Sequence, residues 1–219
     1  MSHSSSGPPN RCRLMLAIPA LEQATALIET ALGAGDVASV ILAQDELDAA
    51  AYLRHCNQIV PKIQQHDVAA IACNDTQVLG RSGADGIVFQ QPEQDYRDLV
   101  ARFSPQKIVG FGGSFNRHRA LELGESNPDF LYFGKPDGDI RPEPHPKNLA
   151  IASWWSELVE IPCAVMGGSS IESVIECAES GAEFVVLGLA VFANTDGPGE
   201  AVRRANGILD EHAPRFVEA

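Results

Sequence analysis

Two strand ends in the second half of the chain carry residues suited to holding an anion. Gly167-Gly168-Ser169-Ser170 follows a short apolar run and opens a helical pattern, and Gly188-Leu189 follows the next apolar run. Glycines let a backbone approach a ligand closely, and N–H groups at a helix start hold an anionic oxygen without any cation. Ser169 and Ser170 add hydroxyls that can donate to an anion or cap the helix. The pairing predicts a phosphate site at Gly167, Gly168, Ser169, Gly188 and Leu189; the plainer reading is a tight glycine turn. A second candidate is Asn74-Asp75, at the end of another apolar run. A carboxylate there can hold Mg²⁺, with Asn74 orienting a phosphate or a base. Asp75 is equally suited to capping the turn that follows. Glu93, in Phe89-Gln-Gln-Pro-Glu93, is the natural second carboxylate for such a metal.

Eight short apolar runs, at 14–18, 37–43, 68–73, 86–89, 107–111, 130–133, 163–166 and 184–187, must position these residues. Their length and their glycine or polar borders are those of strands. Helical spacing separates them: Leu21, Thr25, Ile28 and Leu32; then Leu47, Tyr52, Cys56, Ile59 and Ile63, with Pro61 clouding the end; later Ile171, Val174, Ile175 and Ala178. Repeated strand–helix alternation predicts parallel βα units and a compact (β/α)8 TIM barrel, with a doubly wound open sheet as the alternative. Residues 75–84 leave room for a turn or two of helix.

The segment after the sixth run, GKPDGDIRPEPHPK at 134–147, carries four prolines and no helical pattern. In a barrel it falls on the carboxyl-end face, where catalytic loops gather. It is either a binding loop or lid, or a rigid surface loop without chemistry. His145 within it is the best placed of the six histidines for acid–base work; no histidine pair has metal-ligand spacing. Gly110-Phe-Gly-Gly-Ser114 could present N–H groups and a hydroxyl, or form a plain turn.

Composition sets the outer limits. The 219 residues carry 29 Asp and Glu against 16 Lys and Arg, a formal charge of −13. That balance opposes nucleic-acid and anionic-membrane surfaces, which reward clustered cations. No apolar run approaches the roughly 20 residues that span a bilayer. Residues 1–10 are Ser, Gly and Pro-rich and read as a disordered tail, with 11–219 as one barrel domain. Five cysteines without a CxxC pair suit a reducing cytoplasm.

Taken in order, Asn74-Asp75, Gly83-Ala84-Asp85-Gly86-Ile87, Pro128-Asp129-Phe130, Ile161-Pro162 through Gly167-Gly168, and Gly181-Ala182-Glu183 make the chain resemble the thiamine phosphate synthase family from about 37 to 194. The resemblance implies Mg²⁺-dependent joining of a hydroxymethylpyrimidine diphosphate to a thiazole phosphate, with release of pyrophosphate through a pyrimidine carbocation. It implies that Asn74 and Asp75 meet pyrophosphate and metal, that Glu93 stands where the family has a metal-binding Asp, and that Gly167, Gly168, Gly188 and Leu189 hold the thiazole phosphate. Some positions depart from the family. Its Q-x-R-x-K segment reads Val40-Ile-Leu-Ala-Gln44-Asp45, without Arg or Lys, and its serine after strand five falls at Gly112. Its T-x-T-K loop becomes Lys135-Pro-Asp-Gly-Asp139-Ile-Arg141, where Lys135 or Arg141 can replace one cation. Cations that neutralise a leaving diphosphate are commonly the largest catalytic term.

Three functions follow as expectations. The first is a family member that binds a small phosphorylated ligand, as a transferase of thiamine biosynthesis if active. The second is a non-catalytic phosphate binder or regulatory relative. The third is another phosphosugar enzyme using Asp75, Lys135 and His145. A homo-oligomer is left open.

Overall fold

The computed structural model describes residues 9–92 and 96–216. Eight strands, β1 (Arg13–Ile18), β2 (Ser39–Leu42), β3 (Ala69–Cys73), β4 (Gly86–Gln90), β5 (Ile108–Gly113), β6 (Phe130–Phe133), β7 (Cys163–Met166) and β8 (Phe184–Leu187), pair in chain order and close on themselves. Every pairing is parallel, including β1 with β8, where Leu14 lies opposite Val185. The strands are short, continuous apolar runs because both faces are covered: side chains fill the barrel inside and helices cover it outside. Leu16, Ile41, Phe111, Tyr132 and Val185 are fully buried. The open sheet is thereby excluded.

The intervening helices are α1 (Ala24–Leu32), α2 (Ala49–Gln64), α3 (Thr76–Ser82), α4 (Tyr96–Phe103), α5 (Arg117–Gly124), α6 (Pro146–Leu158), α7 (Val174–Glu179), α8 (Leu189–Phe192) and α9 (Pro198–His212). Pro61 does not end α2. The carbonyl that loses its partner there belongs to Asn57, on the exposed side, while Ile59, Val60 and Ile63 stay buried against the barrel. Ahead of α7, Ile171–Ser173 forms one 3₁₀ turn. α9 packs on α1 and is clasped by the buried Arg11, which donates to Asp210 at 2.7 Å and Asn206 at 3.0 Å.

The acidic residues that open even-numbered strands share one job. Asp85, before β4, accepts from the Ala70 N–H at 2.8 Å; Asp129, before β6, accepts from Val109 at 2.7 Å; Glu183, before β8, accepts from Cys163 at 2.8 Å. Each carboxylate ties one strand to the strand before it, at the amino end of the barrel. Asp36, ahead of β2, instead takes both arms of the Arg13 guanidinium on β1, at 2.6 and 2.9 Å. These residues secure closure, far from the face where chemistry occurs.

All five cysteines are free and buried. Burial pushes the Cys56 thiol up to about 11 and the Cys12 thiol up to about 12, so neither is a ready nucleophile.

Candidate functional site

The carboxyl end of β7 and β8 gathers the amides that the glycine pattern predicts, and nearly all are engaged within the chain. The Gly167 N–H continues the ladder to the Val186 carbonyl at 2.9 Å. Gly168 donates to Ser173 Oγ at 2.9 Å. Ser169 and Ser170 donate to the carbonyls of Arg141 and Pro142, at 2.7 and 3.3 Å. Gly188 donates to Asp139 Oδ2 at 3.1 Å, and Leu189 donates to the same oxygen. One stretch of the β6–α6 loop, 139–142, therefore covers both glycine turns.

Gly168 is what allows so close a cover. A Cβ at that position would lie 1.9 Å from the Pro142 carbonyl oxygen, nearer than any side chain tolerates. Asp139 is only 1% exposed, and its Oδ1 is buried with no hydrogen-bond partner among the described residues. Burial pushes its carboxyl above the usual carboxylate range, with the Leu189 and Gly188 amides pulling the other way. Sequence reading missed Asp139, which sits between Gly138 and Ile140 in a proline-rich loop with no local pattern to mark it.

A second region opens across the mouth. A cavity of about 300 Å³ is lined by Gln44 and Asp45 after β2, Asn74 after β3, Gln90 at the end of β4, and Lys135 and Asp137 after β6, among others. Asn74 and Lys135 thus come together as predicted site residues. Asn74 has φ of 56°, and its Oδ1 accepts from the Gln90 N–H at 2.7 Å, which joins the ends of β3 and β4. Lys135 is exposed and pairs with Asp137 at 3.1 Å. Gln90 Nε2 is buried without a partner among the described residues, 2.2 Å from where a Cβ on Gly112 would stand. The missing side chain at Gly112 is the space that the Gln90 amide uses.

Asp75 is placed apart from that cavity. Its Oδ1 caps α3, accepting from Gln77 at 2.8 Å and Val78 at 3.0 Å, and the residue borders a groove between α2 and α3 with Leu53, Arg54 and Arg81. Glu93 lies outside the described residues. Among the described residues no three His, Cys, Asp or Glu side chains converge to hold a metal. His145 caps α6, its Nδ1 accepting from the Lys147 N–H at 3.2 Å, and Ser114 is exposed at the start of the β5–α5 connection.

A closed parallel barrel with a polar cavity and glycine turns at its carboxyl face defines a (β/α)8 protein of the kind that works at that face. The family model described as thiamine monophosphate synthase matches residues 16–191, and the chain belongs to that family, whose place is in thiamine biosynthesis. The thiamine-phosphate synthase of Rhodospirillum centenum is 32% identical over 203 residues, covering 90% of this chain and 98% of that one. The thiamine-phosphate synthase of Hyphomonas neptunium is 28% identical over 196 residues, covering 85% and 86%. The solved thiamine phosphate pyrophosphorylase from Pyrococcus furiosus superposes with a TM-score of 0.74 at 17% identity, over 92% and 97% of the two chains, and so shares the fold. Among the described residues no helix is long and apolar enough to cross a membrane.

Proposed function

We propose that this chain binds a small phosphorylated ligand at the β7–β8 turns and serves as the thiazole phosphate-binding transferase of a thiamine phosphate synthase reaction. The observation that carries the reading is the seat of Asp139. The Gly188 and Leu189 amides already hold a carboxyl oxygen there, with no cation among the hydrogen-bond partners of that group in the described residues. A phosphate monoester asks the same of those amides, and Gly168 and Ser169 lie across the gap. The organic part of the ligand then reaches toward Asn74, Gln90 and Lys135.

In the reaction the resemblance implies, the bond between the pyrimidine methylene carbon and the diphosphate oxygen breaks. Pyrophosphate leaves with the electron pair, and the thiazole nitrogen bonds to that carbon. Among the described residues Lys135 is the one cation lining the cavity, against Asp45, Glu46 and Asp137, so it is the residue suited to the departing charge. No step is assigned to Mg²⁺. A non-catalytic phosphate binder is the second reading, favoured by that acidic lining. The phosphosugar reading is less favoured, since Asp75 and His145 cap α3 and α6 and neither lines the cavity with Lys135.

Calorimetry with thiazole phosphate and with the unphosphorylated thiazole alcohol, beside an assay of pyrophosphate release from the pyrimidine diphosphate, tests the proposal. Binding of the phosphate alone together with release supports the transferase. Binding without release leaves the non-catalytic binder, and equal binding of phosphate and alcohol removes the anion site.

A further inference from the structure

We propose that the 138–142 segment is a self-inhibitory gate: Asp139 occupies the anion pocket of the resting chain, and a phosphorylated ligand enters only by displacing it. The proposal rests on the phosphate reading of the β7–β8 turns and adds how that site is controlled. Three features of the contact carry it.

The first is that one segment blocks both halves of the pocket. Asp139 Oδ2 takes the Gly188 and Leu189 N–H groups, and the Arg141 and Pro142 carbonyls take Ser169 and Ser170. Moving 139–142 away releases all four donors at once.

The second is that the seat suits Asp139 poorly. Its Oδ1 is buried without a partner, and no salt bridge to Asp139 occurs among the described residues. A carboxylate removed from water and given donors at only one oxygen is weakly held compared with a phosphate, which offers three. Exchange returns the carboxylate to solvent and brings a better-matched anion to the same N–H groups.

The third is that the segment is held at both ends by contacts outside the pocket. At one end Gly134 has φ of 138° and donates to the Gly113 carbonyl at 3.1 Å. At the other, Pro144 is buried and His145 caps α6. Between these anchors, Ile140 is 77% exposed, so no packing of its own side chain holds the gate shut. Both anchors are outside the anion pocket and can stay in place while the gate swings.

Backbone amide exchange followed by NMR on the full chain, with and without inorganic phosphate or thiazole phosphate, tests the gate. In the unliganded chain, Gly188 and Leu189 should be protected; Asp139→Ala should expose them to exchange and tighten phosphate binding by about tenfold or more, because the competing internal anion is gone. Asp139→Asn, nearly isosteric, serves as the second variant: its amide oxygen can still accept from the Gly188 and Leu189 N–H groups, so it should keep the fold and the amide protection and give no gain in phosphate binding. If both amides exchange equally in wild type and Asp139→Ala, Asp139 does not occupy the pocket and the gate is overturned whatever the ligand proves to be. If the amides become exposed in Asp139→Ala but no form of the chain binds phosphate, the phosphate reading itself fails and the gate with it. If phosphate binds every form equally, the pocket is real and the gate is wrong.

Discussion

The two sides of the barrel mouth are built to different standards. On the β7–β8 side, backbone meets backbone: Gly168 lies under the Pro142 carbonyl, and the Ser169 and Ser170 N–H groups donate to the loop carbonyls of Arg141 and Pro142. On the β2–β4 side, movable side chains line an open cavity, with Gln90 Nε2 unpartnered among the described residues and Lys135 paired with its exposed neighbour Asp137. Close backbone packing fixes a site in advance and limits what enters; side-chain lining adapts and sets little in advance. The first side is therefore read as the place of a common chemical group, the phosphate, and the second as the place of the variable organic part.

Substituting one glycine on each side separates the two. Gly168→Ala drives a Cβ into backbone, which cannot yield without moving the loop, and should cost about 3 kcal/mol in urea unfolding. Gly112→Ala meets chiefly the end of the Gln90 side chain, which can turn aside, and should cost about 1 kcal/mol. Equal costs would erase the distinction between a backbone seal and an adaptable lining.

Asp139→Asn probes the sealed side through pH. The Asp139 carboxyl titrates above its unfolded value, chiefly because it is buried. Its contribution to stability is therefore fully present below the unfolded value and is lost as pH rises through the folded one. The variant should gain stability relative to wild type as pH rises above the unfolded value in paired thermal melts; a gap that shrinks with pH would contradict the burial of the carboxyl. Lys135→Ala should leave the melt nearly unchanged, since its ion pair is exposed. It should lower pyrophosphate release all the same; unchanged release would take Lys135 out of the chemistry.

Much of this molecule is legible in its sequence, for reasons that can be named. Each strand is a short apolar run covered on both faces, so β6, β7 and β8 end where their patterns end, and the others differ by a residue or two. Asp85, Asp129 and Glu183 stand out in the sequence as family marks; the fold shows that they latch neighbouring strands and take no part in the site. α9 leaves no trace in the strand count because it follows the last strand and closes on α1. Asp75 fits two roles from sequence alone, and its geometry is that of a cap. Asp139 was beyond reach because its partners, Gly188 and Leu189, are 49 and 50 residues away, and no spacing rule joins a loop carboxylate to a turn at that range.

The central claim is that the β8 turn receives the phosphate of the ligand. Its most direct test is a titration of the isotope-labelled chain with thiazole phosphate, following the amide resonances of Gly188, Leu189 and Ser169. The account predicts saturable shifts at all three, together with a shift at Asp139 as it leaves. Saturable shifts confined to residues around Asn74 and Gln90, with Gly188 and Leu189 unmoved, would contradict it.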